Sequence, residues 1–294
     1  MIEEIRTITV LGAGAMGRGI AQVAAMGGYR TRLFDVAAPV LEKAGRVVHK
    51  NLDKGVQLGK VDEPTAKLAK ANLVLDTELE AAVADTDLVI EAVPESLELK
   101  IETFRLAAEN APQDALFATN TSGLSITEMA PATGKPERFA GMHFFNPVHI
   151  MKLVELVKGL ETSDETVELL KDVAERMGKQ VVVVNESPGF VTSRINALIG
   201  NEAFRMLQEG VASAVDIDTA LKLGLNHPMG PFEMVDLVGL DVRLSILQYL
   251  QQTLGELYRP NNLLVQYVRA GRLGRKTKRG VYDYDDDGNR IGQR

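Results

Sequence analysis

Two of the chain's four histidines, His143 and His149, fall in one segment, HFFNPVHIMKLVE at 143–155, with an asparagine and a glutamate. Histidine exchanges its proton nearest neutral pH of all side chains. It is therefore the usual general base, and it needs an orienting partner on its second ring nitrogen. His143 closes the apolar run FAGMH, and Glu155 sits within the next run, KLVELV. If the two runs lie side by side, the carboxylate reaches the imidazole, fixes its tautomer and stabilises the protonated form. The alternation with Val154 and Leu156 equally suits a Glu155 that faces solvent. His149 follows Pro147 in what reads as a loop, with no evident partner.

A second set of residues suits a phosphate rather than a proton. TITVLGAGAMG at 7–17 places Gly12, Gly14 and Gly17 directly after a β-branched run and at the start of a helical pattern. Gly12 permits the tight turn, Gly14 lets the backbone approach a pyrophosphate, and Gly17 lets the helix pack against the strand. The anion then meets the helix start at Ala15 and Met16, where free N–H groups and the helix dipole favour it. The next strand pattern, TRLFD, ends at Asp35, 18 residues beyond Gly17. A carboxylate there accepts from a ribose 2′-hydroxyl and repels a 2′-phosphate, which favours NAD over NADP. Arg30 and Arg32 precede it and Val36 follows, so no phosphate clamp is evident. A third cluster, ATNTSGLSI at 118–126, gathers Asn120 and Ser122 after the LFA run. Such small polar side chains can bind a substrate oxygen. They can equally cap a short helix over Ile126–Met129, with Ser122 or Ser125 as the cap.

The elements that must carry these residues alternate. Strand patterns are expected at Ile5–Leu11, Arg30–Phe34, Leu73–Leu75, Leu88–Ala92, Leu116–Ala118, Phe139–Phe144, Leu153–Val157 and Gln180–Val184. Helical spacing is expected at Met16–Met26, Val40–Leu58, Leu97–Glu109 and Glu165–Met177. This is the texture of βαβ units and a mostly parallel, doubly wound sheet. It stops at Glu186-Ser187-Pro188-Gly189; beyond, a helical stripe from Val191 to Leu207 ends at Gly210, and further helices are broken at Gly224, His227-Pro228 and Arg259-Pro260. Two domains are expected: an α/β Rossmann-type domain over 1–187 and an all-α domain over 188–294. The acidic tail Tyr282–Asp287 is expected to be solvated.

Composition narrows the function classes. A formal net charge of −7 supplies no basic field for a nucleic-acid backbone, and cysteine is absent, which excludes disulfides and thiol chemistry. The N-terminus lacks a signal-peptide pattern, and no apolar run reaches the roughly 20 residues of a membrane helix. A cytoplasmic protein with no nucleic acid, membrane or metal partner is expected.

GAGAMG at 12–17, EAVPE at 91–95, NTSGLSI at 120–126, HFFNPV at 143–148, SPGFV at 187–191 and HPMGPFEMVDLVGLD at 227–241 occur in one chain, followed by RLGRKTKRGVY at 272–282. Together they resemble the 3-hydroxyacyl-CoA dehydrogenase family, most closely its short bacterial 3-hydroxybutyryl-CoA members, over essentially the whole length. The resemblance implies reversible hydride transfer between C3 of an (S)-3-hydroxyacyl-CoA and NAD. It implies a helical domain that forms a homodimer and closes over the substrate. It also implies His143 as the base with Glu155 as its partner, and Ser122 on the reacting oxygen. Glu95, Lys100, Asn120, Asn146 and Lys276 match cofactor-contacting positions. Where the family usually carries a substrate-binding asparagine this chain has Ser193, so Ser193, or Asn196 one turn on, is the expected substitute. Lys278 replaces a glycine and Val281 a phenylalanine in the closing segment. On charge grounds, Lys54 and Lys60 are expected to meet CoA phosphates. The competing expectations are a related dehydrogenase of a free hydroxy acid, and a catalytically silent crystallin-like relative.

Overall fold

The computed structural model describes residues 5–292. Its chain divides into two compact units, Met1–Phe190 and Val191–Arg294.

The first unit alternates strands and helices: β1 (Thr7–Leu11), α1 (Ala15–Met26), β2 (Arg30–Phe34), α2 (Ala38–Gln57), α3 (Glu63–Asn72), β3 (Leu73–Asp76), α4 (Leu79–Val83) and β4 (Leu88–Glu91). It continues through α5 (Leu97–Asn110), β5 (Leu116–Thr119), α6 (Ile126–Met129), β6 (Phe139–Phe144), β7 (Leu153–Lys158), α7 (Asp164–Arg176) and β8 (Gln180–Asn185). The strands form one eight-stranded sheet in the order β3-β2-β1-β4-β5-β6-β7-β8. All neighbours run parallel except β6 and β7, which are antiparallel. The order turns back between β1 and β4, and in open α/β sheets ligands gather beyond the carboxyl ends of strands at such a switch point.

Side-chain alternation sorts the strands between two cores. Ile8, Val10, Leu88, Ile90, Ala140, Met142, Val154 and Leu156 pack with α1 and α7 on one face. Val89, Phe117, Phe139 and Val157 pack with Phe104 of α5 and Ile126 of α6 on the other. Each large side chain so buried contributes about 1.5–3 kcal/mol. Helix α3 lacks the long apolar stripe that marks the others; its start is set instead by Asp62, whose carboxylate accepts from the Thr65 N–H at 2.8 Å.

The second unit comprises α8 (Thr192–Glu209), α9 (Ala214–Gly224), α10 (Pro231–Val238), α11 (Leu240–Leu254) and α12 (Asn262–Arg269), with a short hairpin of β9 (Asp283–Tyr284) and β10 (Arg290–Gly292). The hairpin corrects the expectation of a solvated tail. Tyr282 and Tyr284 are buried, and only Asp286 and Asp287 of the acidic run are exposed. The two rings supply apolar area, while their hydroxyls find buried acceptors: Tyr282 donates to Asp218 at 2.7 Å and Tyr284 to Asp236 at 2.8 Å. Asp236 also accepts from the N–H groups of Val281 and Tyr282 at 2.8 and 2.9 Å. Burial raises the pKa of both carboxyls, against the lowering effect of these donors.

Asp236→Ala strands two buried N–H groups and a hydroxyl, each costing about 1–3 kcal/mol when unpaired. A fall in stability of at least about 3 kcal/mol is expected in urea unfolding; a loss below about 1 kcal/mol would show that this anchor carries little weight.

Candidate active site

The glycine loop follows β1. Gly12 sits at φ 98°, in the left-handed region, and a Cβ there would lie 2.7 Å from the Ala92 carbonyl oxygen. A Cβ on Gly17 would lie 1.7 Å from the Gly12 carbonyl oxygen, so α1 closes directly onto the turn. Gly14 and Ala15 are exposed at the helix start and Met16 half-buried, and a Cβ on Gly14 would meet nothing within 4 Å. This open ledge, with first-turn N–H groups that have no intrahelical acceptor, fits a pyrophosphate. Asp35, just past β2, borders the same loop. Its Oδ2 accepts from the Ala13 N–H at 2.8 Å and its Oδ1 from the Ala37 N–H at 3.0 Å. Each oxygen keeps a lone pair for a ribose hydroxyl, so the residues present fit NAD.

The antiparallel turn from β6 to β7 makes His143 and Glu155 direct cross-strand partners. Residues so placed hold their Cβ atoms about 4.5–5.5 Å apart on one face. The His143 Nδ1 lies 2.8 Å from Glu155 Oε2, and both side chains are almost fully buried. The Phe145 and Phe190 rings flank the imidazole at 4.4 and 5.8 Å between centroids. Phe190 has φ 49°, a left-handed conformation that a bulky residue adopts only where its surroundings impose it. With Glu155 ionised, Nδ1 carries the proton and Nε2 offers a lone pair.

Beside this pair, the segment after β5 is tied down from several sides. Asn120 Oδ1 accepts from the Phe144 N–H at 2.9 Å, next in sequence to His143. Glu95 Oε1 accepts from the Thr121 hydroxyl at 2.6 Å and from the Ser122 N–H at 2.9 Å. The Ser122 side chain is exposed, and the cap of α6 is Ser125, whose hydroxyl accepts from the Glu128 N–H at 3.1 Å. Lys100 is buried, with Nζ 2.7 Å from Glu91 Oε1 and 3.3 Å from Glu95 Oε2.

Asn146 is exposed and precedes Pro147 through a cis peptide bond. His149 is exposed; partial burial and the nearby Lys179 cation lower its pKa. Lys54 and Lys60 are exposed near the end of α2. Ser193 and Asn196, three residues apart near the start of α8, are half-buried in the second unit. Lys276, also in that unit, donates to Asp241 Oδ2 at 2.6 Å.

Two residues here had no role assigned from sequence. Glu91 is a carboxylate at the end of an otherwise apolar strand, the only signal it gave. Lys179 is buried after the Gly178 turn, and its Nζ donates to the carbonyl oxygens of Val148 and, at 2.9 Å, Met151. Burial lowers its pKa. It thereby fastens the loop that carries Asn146.

Comparison with known proteins agrees across both units. The NAD-binding domain of 3-hydroxyacyl-CoA dehydrogenase matches residues 7–187, and the C-terminal domain of the same enzyme matches residues 189–284. A 3-hydroxybutyryl-CoA dehydrogenase of Bradyrhizobium diazoefficiens is 45% identical over 285 residues, 97% of this chain and 97% of that one. One from Clostridioides difficile is 43% identical over 279 residues, covering 95% of this chain and 99% of its own. The crystal structure of an (S)-3-hydroxybutyryl-CoA dehydrogenase from Ralstonia eutropha superposes with a TM-score of 0.93 at 41% identity, over 96% of this chain and 100% of that one. With both domain types in order and relatives of this identity over nearly the full length, the chain belongs to the NAD-dependent 3-hydroxyacyl-CoA dehydrogenase family.

Proposed function

We propose that the protein is an NAD-dependent (S)-3-hydroxyacyl-CoA dehydrogenase that acts on short chains such as 3-hydroxybutyryl-CoA. The observation that carries this reading is the buried His143–Glu155 pair at 2.8 Å, at the carboxyl edge of the sheet that also bears the glycine loop. In oxidation, His143 Nε2 takes the C3 hydroxyl proton while Glu155 holds the ring and stabilises its charged form. The exposed Ser122 hydroxyl hydrogen-bonds the same oxygen as it becomes a carbonyl. Held at the glycine loop and Asp35, NAD would supply the acceptor for the hydride from C3. In reduction the protonated His143 returns the proton. Removing the proton as the hydride departs spares a strongly acidic oxonium, which is why a base is needed beside that oxygen.

The cofactor side is assigned to Gly12, Gly14, Ala15, Met16, Gly17, Asp35, Glu95, Lys100, Asn120, Asn146 and Lys276. Ser193 and Asn196 are assigned to the substrate, and Lys54 and Lys60 to the CoA phosphates. Residues 1–187 are proposed as the NAD-binding domain and 188–294 as the dimerising and substrate-closing domain of a cytoplasmic enzyme. Exposed apolar side chains in the second unit, among them Val191, Ile195, Leu237, Val238 and Val242, support a protein partner there. No helix among the described residues is long and apolar enough to cross a membrane.

The decisive assay follows NADH oxidation with acetoacetyl-CoA, with free acetoacetate as the control. Turnover on the free acid alone favours a hydroxy-acid dehydrogenase, and silence toward every 3-ketoacyl-CoA favours a non-catalytic relative. His143→Ala is expected to lower kcat about 10²–10⁴-fold with little change in NADH affinity; normal turnover in that variant would sink the assignment. Asp35→Ala is expected to reduce the preference for NADH over NADPH, and an unchanged ratio of kcat/KM values would refute the ribose role. Light scattering should return twice the chain mass; a single-chain mass would remove the homodimer.

A further inference from the structure

Glu91 is the last residue of β4, and its side chain is fully buried. In the parallel register it lies level with Thr119 of β5, on the sheet face packed against α5. Its Oε1 accepts from the Val93 N–H at 2.6 Å and from Lys100 Nζ at 2.7 Å. Its Oε2 accepts from Lys100 Nζ at 2.9 Å and from the Thr119 hydroxyl at 2.6 Å. Burial raises its pKa, and the Lys100 cation acts in the opposite direction. Lys100, in the first turn of α5, also faces Glu95 Oε2 at 3.3 Å. Glu95 is 46% exposed in its side chain, and its other oxygen holds the Thr121 hydroxyl and the Ser122 N–H. Negative, positive and negative charges thus succeed one another from beneath the strands to the turn that presents Ser122.

We propose that Glu91 is a positioning residue for the Ser122 turn: it anchors Lys100, Lys100 anchors Glu95, and Glu95 fixes the Ser122 backbone. The proposal rests on the reading of Ser122 as the side chain that binds the reacting oxygen. The physical reason is competition for one carboxylate. A buried ammonium needs an anion, and with Glu91 present that need is met from below, leaving Glu95 to bind the turn. Without the Glu91 charge, Glu95 becomes the sole acid beside Lys100 and is drawn from the Thr121 and Ser122 donors. Catalytic geometry then degrades, while the glycine loop and Asp35 still hold the cofactor.

The test uses the full chain with acetoacetyl-CoA and NADH, and NADH affinity is read separately by fluorescence. Glu91→Gln keeps the shape and removes the charge. It is expected to lower kcat about tenfold to a hundredfold, with a smaller factor lost in NADH affinity, since Glu95 and Lys100 are two among many assigned cofactor contacts. Because Glu91 acts through Glu95, the Glu91→Gln/Glu95→Gln pair should fall no further than Glu95→Gln alone. Should Glu91→Gln not fold, Glu91→Asp keeps the buried charge but draws it one methylene back from Lys100, and should show a smaller kcat loss in the same direction. A kcat within about twofold of wild type in whichever of these two variants folds overturns the inference. Multiplying losses in the Glu91/Glu95 pair, or weaker NADH binding at unchanged kcat, do so as well. A wild type silent toward every 3-ketoacyl-CoA overturns the functional reading and this inference with it. An active wild type with an unimpaired Glu91→Gln overturns the inference alone.

Discussion

The site depends on one reversal of direction. Strands β1 to β6 run parallel, and β7 alone turns back against its predecessor. That reversal converts a separation of 12 residues into direct opposition of His143 and Glu155. Register carries the geometry: a slip of one residue would send Glu155 to the other face and bring Val154 or Leu156 opposite the imidazole. The apolar neighbours of Glu155 are buried in the core on the opposite face, so the hydrophobic pattern that stabilises the sheet also locks the polar contact. The Asn120 contact to the Phe144 N–H extends the same alignment to the adjoining strand.

Both units bury carboxylates, and they satisfy them differently. In the second unit Asp218 and Asp236 are surrounded by N–H groups and tyrosine hydroxyls, a neutral cage that ties the C-terminal hairpin to α9 and α10. In the first unit Glu91 faces a cation on α5, and the pair has a residual charge interaction to share with Glu95. Neutral donors hold a structure in place. A buried ion pair at a strand end can also orient groups beyond itself, since its field acts past its own hydrogen bonds.

Much of this was legible in the sequence because the deciding interactions are local or periodic. The strand–glycine–helix order around Gly12, the β-branched runs and the punctuation at Pro188-Gly189 each follow from backbone preferences of nearby residues. The Rossmann-type sheet with a helical unit after it is the fold those signals imply. What escaped were interactions between distant positions. Helix α3 is short and set by a cap rather than by a stripe. The tail looked solvated because its aspartates dominate the composition, whereas the tyrosines between them are held by carboxylates that lie 48 to 64 residues earlier. Spacing alone left Glu155 free to face solvent, because a lone strand's alternation does not reveal whether its second face is covered. Glu91 gave no hint of its donors, which come from three separate segments.

The clamp on the loop after β6 has an evolutionary reading. Lys179 belongs to the corner between α7 and β8, yet its ammonium grips carbonyl groups in the segment that carries Asn146. The contour of a surface offered to a ligand is thereby governed from behind, by a residue no ligand meets. A small axial drift of α7, or a residue added at its corner, would re-aim that surface while every exposed side chain kept its identity. Selection can therefore retune such a site through its scaffolding, and two relatives with the same visible residues can differ in what they accept.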